Sequence, residues 1–167
     1  MNDAHLHLLV NHFPILGTIF GLGILIVGLL LKNKSMQHTA YVLFAIAAIF
    51  GLLSMNTGEG AEELVEDLPN VGKEIIHEHE EIAEKFVILL YLTGAVALLS
   101  LLMSVKNHAK AKFFAYATLL LAIGTAVLSK NVGTSGGEIR HTEIRGNASV
   151  NGVSAQENGT EATDEEH

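Results

Sequence analysis

Nine histidines and no cysteine make nitrogen, not sulfur, the ligand chemistry open to this chain of 167 residues. His5, His7, His12, His77, His79 and His141 come from three separated segments, and the charge pattern described below puts all six on one side of a membrane. Neutral imidazole is the commonest protein ligand for metal ions and serves haem iron axially. His12 stands in Asn11-His12-Phe13-Pro14, at the mouth of a charge-free run. At helical spacing His79 shares its stripe with Ala83, Leu90, Gly94 and Ala97, a small-residue face that leaves room for a flat macrocycle. His77 shares a stripe with Glu81 and Glu84, a face suited to water or a metal ion. Helical phase therefore makes His79 the inward ligand. His12 with His79 predicts bis-histidine ligation of a b-type haem, with His77 and His141 as further candidates. The competing chemistry is a non-haem site for Zn, Cu(II) or Fe. There His12, His77, His79 and His141 would combine with Glu62 and Glu81, and Glu59 and Glu143 lie within the same segments. Glu74-Ile75-Ile76-His77 is half of the carboxylate-bridged di-iron motif, present once where those bundles need it twice.

Other chemistries lack their parts. Without cysteine there is no disulfide, no thiolate site and no covalent c-type haem attachment. A net charge of −8 excludes a nucleic-acid partner, since phosphate neutralisation needs clustered lysine and arginine. No Gly-x-Ser-x-Gly, His-Glu-x-x-His or phosphate-binding loop occurs, which leaves hydrolysis unsupported.

The elements that must hold these histidines are four charge-free apolar runs, Pro14–Leu31, Thr39–Met55, Phe86–Val105 and Phe113–Ser129. Each approaches the roughly 20 residues that cross a bilayer core. A soluble bundle would carry a polar face on every helix, and these runs carry only scattered Gly, Ser and Thr. No acid lies inside them, so the usual marker of an ion path is missing. Residues 32–38 and 106–112 contain lysines and no acid, which predicts that both loops are cytoplasmic and both termini outside. All 18 acids then fall on the outer side. The second and third helices should project outward as an acidic helical hairpin, broken at Pro69-Asn70. Pro14 reads as a first-turn proline, with Asn11 or His12 near the N-cap. Gly17 with Gly21, Gly94 with Ala97 and Ala122 with Ala126 read as close-approach positions. Gly136-Gly137 predicts a tight turn, with Glu138 to Arg145 folded back as an extended piece. The expected organisation is an all-α integral membrane domain over 1–145 and a disordered acidic tail over 146–167. Met1-Asn2-Asp3-Ala4 has no positive n-region, so the first run is expected to stay in the mature protein.

His12-Phe13-Pro14, Thr57-Gly58, His77 and His79 before the third span, and Gly136-Gly137-Glu138 with His141 resemble the marks of a family of small four-helix bacterial membrane proteins of unassigned function. The resemblance covers about residues 5–145. Such domains occur joined to Rieske-type or c-type cytochrome domains, so the resemblance implies redox work at the outer membrane face. This chain has no such appended domain, and its electron partner would be a separate protein. The expectation is an inner-membrane electron-transfer subunit with a b-type haem near the periplasmic face, exchanging electrons with quinol and a periplasmic redox protein. The alternatives are the non-haem metal site and a cofactor-free subunit of a homo-oligomer or larger membrane complex.

Overall fold

The computed structural model of the chain describes residues 2–66, 68 and 71–145. The tail from Gly146 and the Pro69-Asn70 break lie outside the described residues. Helices α1 (Asp3–Val10) and α2 (His12–Leu30) form one rod with a single residue between them. Three longer helices follow, α3 (Lys34–Val65), α4 (Lys73–Val105) and α5 (Ala111–Arg140), then a 3-10 turn at Thr142–Ile144. All four rods contain a window apolar enough to cross a membrane.

Local chemistry sets the boundaries. Asn2 caps α1 by accepting from the His5 N–H at 3.0 Å. Pro14 has no N–H to offer Val10, and the helical ladder is interrupted at Asn11. α2 and α4 end in Schellman closures. Asn33 donates to Gly28 O and His108 to Met103 O, both at 2.9 Å. The left-handed residues that permit them are Lys32 (φ 51°) and Asn107 (φ 49°). Asn33 then caps α3 through the Met36 N–H. With 32 residues α3 is about 48 Å long, against a hydrocarbon layer of about 30 Å. α3 and α4 therefore extend well past their apolar runs at the end where the acids lie, here called the acidic end. The opposite end carries the lysine loops.

The helices close into a ring in chain order, α2 on α3, α3 on α4, α4 on α5 and α5 back on α2, with α1 against the projecting part of α3. Small residues let the rods approach. A Cβ on Gly17 would sit 3.0 Å from Ala47 Cβ, and one on Gly94 would sit 2.8 Å from Ala48 Cβ and 3.3 Å from Phe44 O. Between α4 and α5 the contact is polar. Thr93 and Thr125 hydroxyls meet at 2.8 Å, Ser100 and Thr118 at 2.7 Å, and all four are buried. Such bonds are worth about 0.6 kcal/mol each in a membrane. The α4–α5 seam is thus small and hydroxylated, Leu25, Tyr41, Phe44 and Leu90 fill the core, and many other large apolar side chains face outward, Leu30 76% and Leu120 71% exposed. In water this surface would be an aggregation liability; in lipid it is solvated.

Gly94→Ala is expected to lower the thermal midpoint in detergent through overpacking worth about 1–3 kcal/mol, because backbone as well as side chain meets the new methyl. Gly23→Ala, with nothing within 4 Å, is expected to leave the midpoint unchanged or raise it.

The glycines after the fourth span correct the expected turn. α5 runs unbroken through Gly136 and Gly137 to Arg140, and neither glycine has a positive φ. Glu138 to Arg140 are helical and Thr142–Ile144 form a 3-10 turn, so no extended return exists there. Arg145 closes the helix end by donating to Glu138 O at 2.7 Å and to Ile139 O at 3.0 Å.

Candidate functional site

Gly136 is helical and bare because an imidazole lies on it. A Cβ there would stand 3.1 Å from His79 Cε1. His79 projects from the extension of α4, beyond the apolar run, and its Nδ1 lies 2.9 Å from Ser135 Oγ on α5. When the Ser135 hydroxyl donates to Val132 O, 3.2 Å away, it accepts from His79 Nδ1–H, and in that tautomer Nε2 keeps its lone pair. Burial holds this imidazole below the ordinary histidine value of 6.5, and the nearby His7 lowers it further.

His7 repeats the arrangement on α1. Its Nδ1 is 3.0 Å from Ser54 O and 3.2 Å from Thr57 Oγ1 on α3. A carbonyl oxygen only accepts, so Nδ1 carries the proton and Nε2 again keeps its lone pair. Burial lowers this imidazole too, against the pull of the Ser54 bond, and His12 adds to the lowering. Two half-buried imidazoles on α1 and α4, each anchored through Nδ1 to a different neighbouring helix, thus stand close enough for one charge to oppose the other. Thr57 and Gly136, noted in the sequence as family-like marks, are the groups that seat them. His7 was not expected in this role.

The other expected ligands lie apart. His12 opens α2 but is exposed. Asn11 stands at the N-cap position without a capping bond, and its Oδ1 is buried with no partner. Phe13 stacks on Phe50 with ring centroids 4.3 Å apart, which fixes the start of α2 on α3. His77 is on the exposed side of α4, 3.8 Å from Glu80 and 3.6 Å from Glu81. Glu81 also pairs with Lys85 at 3.4 Å. Glu62 hydrogen-bonds Glu80 across the α3–α4 extensions, and sharing that proton raises its carboxyl. Glu59 is exposed. His141 is exposed and 2.9 Å from Glu143, whose carboxyl is lowered by its own backbone N–H and then by that contact. Among the described residues no three His, Asp or Glu side chains come together as a metal cage.

The macrocycle space read from the sequence beneath His79 is closed. α3 occupies that face, with Ala48 against Gly94, while a Cβ on Gly51 would stand 2.7 Å from Leu90 Cδ2. Leu90 and Ala97 are fully buried there. His79 is half-buried, and its ring lies on α5, against Ser135 and Gly136.

A ring of four membrane-length helices with large apolar side chains on its outer surface is the architecture of an integral membrane protein. The chain belongs to the family described as "predicted membrane protein" (DUF2231), whose model matches residues 4–145. No curated protein and no solved structure matches it.

Proposed function

We propose that the protein is an electron-transfer subunit of the bacterial inner membrane, N-out and C-out, that holds a b-type haem near its periplasmic face. The observation that carries this reading is the pair of imidazoles, His7 and His79, with both Nδ1 atoms anchored on neighbouring helices; in the tautomers this reading requires, both Nε2 atoms keep their lone pairs. Anchoring Nδ1 fixes the tautomer and orients the ring, as the partners of metal-bound histidines do. Two nitrogen donors are the complement that haem asks of a protein, since the porphyrin supplies the remaining four. A closed zinc or copper site asks for three or four side chains. His7 takes the place first read for His12. When bound, haem would supply a one-electron couple at the membrane edge, where quinol from the lipid and a periplasmic acceptor both have access. The chain's own part is to hold the rings neutral by burial, to keep Nε2 available and to seat the extensions. Glu62 with Glu80, and Glu66 with Lys73 at 2.9 Å, link α3 to α4 there.

Orientation rests on the lysine loops. Reporters fused after Lys34 and after Lys110 are expected to read cytoplasmic, and those after Pro69 and Gly146 periplasmic. A cytoplasmic signal from the Pro69 fusion contradicts the proposed side. The function itself is tested by adding a short-chain quinol to protein purified from haem-supplied cells. Low-spin b-type bands should appear in the reduced-minus-oxidised spectrum, and a pigmented protein that no quinol reduces would not be the proposed subunit.

A further inference from the structure

At the opposite end of the bundle the α4–α5 loop and Lys34 border an open hollow of about 330 Å³, lined among others by Ser104, Asn107, His108 and Lys112. Its shape is held by bonds between helices that are distant in sequence. Lys34 Nζ donates to Asn107 Oδ1 at 2.6 Å, which ties the α2–α3 loop to the α4–α5 loop and holds the ammonium at the hollow. Asn107 is in the left-handed conformation that turns the chain around the hollow. Ser104 Oγ meets His38 Nε2 at 2.8 Å on the neighbouring helix. His108 Nδ1 accepts the Lys110 N–H at 3.1 Å, so its Nε2 carries a proton and is a donor. The lining therefore includes two ammonium groups and an imidazole N–H. Neither 32–38 nor 106–112 holds an acid to neutralise them.

We propose that this hollow is a binding site for the phosphate headgroup of an anionic phospholipid. The chemistry fits any phosphate, but the surroundings select the lipid. Val105 and Phe113, next in the chain to the lining, are 61% and 68% exposed, a surface that only acyl chains would solvate. The hollow thus sits where the apolar runs of α4 and α5 end, at headgroup depth. Each lysine near an anionic lipid surface contributes about 1 kcal/mol, a factor of about five.

The test uses the full chain, delipidated in neutral detergent and mixed with phosphatidylglycerol or phosphatidylcholine, with retained lipid read by native mass spectrometry. One phosphatidylglycerol per chain is expected to survive, and phosphatidylcholine is not. Lys34→Gln with Lys112→Gln should weaken retention roughly 25-fold. Lys34→Arg with Lys112→Arg should keep it. Lys106→Gln with Lys110→Gln removes the same charge from the α4–α5 loop, outside the lining, and should also keep it. Elution of each variant as a single species separates lost binding from lost folding. Equal retention of both lipids, equal losses in the two Gln pairs, or displacement of the lipid by inorganic phosphate would each overturn the assignment.

Discussion

Protein carrying His79→Ala is expected to leave haem-supplied cells without the low-spin spectrum of the parent, and His7→Ala is expected to do the same. Either change removes one of two nitrogen donors, so the bound haem should turn high-spin or be lost altogether. Ser135→Ala leaves both imidazoles in place but frees His79 Nδ1, and such supporting bonds are typically worth 10–100-fold in affinity. His12→Ala and His77→Ala alter exposed rings outside the pair and should keep the spectrum. His5→Ala and His108→Ala should keep it too. Loss of the low-spin signal in His12→Ala with retention in His7→Ala would restore His12 as ligand. Gly136→Val adds atoms where even a Cβ would lie 3.1 Å from His79 Cε1, so it should push the ring aside and behave like His79→Ala.

The same two rings should make the haem-free protein unstable in mild acid. Burial lowers both folded-state values below 6.5. Above 6.5 folded and unfolded chains both carry neutral imidazoles, and no pH dependence arises from them. As pH falls below 6.5 the unfolded chain takes up protons that the folded chain refuses, and stability drops until the folded values are reached. Each pH unit within that window costs about 1.4 kcal/mol per histidine. Mutual repulsion makes the second protonation harder than the first. The midpoint in detergent should therefore fall as pH drops below 6.5. His7→Gln with His79→Gln should flatten that slope. Glu62 works with the opposite sign, since its raised carboxyl is protonated first in the folded chain and gives stability as pH falls toward 4.5. An unchanged slope in the Gln pair would mean that neither ring is held neutral by the fold.

How far these features could be read from residues alone depended on their range. The four spans were legible because lipid removes all ambiguity from a charge-free run: the backbone must satisfy itself, and a helix does so. The extension of α4 was legible because no Gly or Pro separates Lys73 from Phe86, and α3 continues through Gly58 and Gly60 to Val65. His79 was legible through helical phase. His7 was not, because an eight-residue helix at a chain end is fixed by its packing on α3 and not by its own propensity. Gly136 was misread as a turn for a related reason. Glycine's turn preference is a property of one residue, and its use here depends on a ring 57 positions earlier. The hydroxyl pairs of α4 and α5 looked scattered, although Thr93 with Ser100 and Thr118 with Thr125 each recur after seven residues, two helical turns on one face. The room imagined beneath His79 failed because helical phase identifies a small-residue face without saying which helix fills it.

The most direct test of the central claim is the visible spectrum of the unmodified full-length protein, purified from cells with ample haem and assayed for metals in the same sample. A sharp reduced α-band with stoichiometric haem and no other stoichiometric metal is the result expected from the His7–His79 pair. A colourless protein, whether it holds stoichiometric copper, zinc or iron or no metal at all, would contradict it.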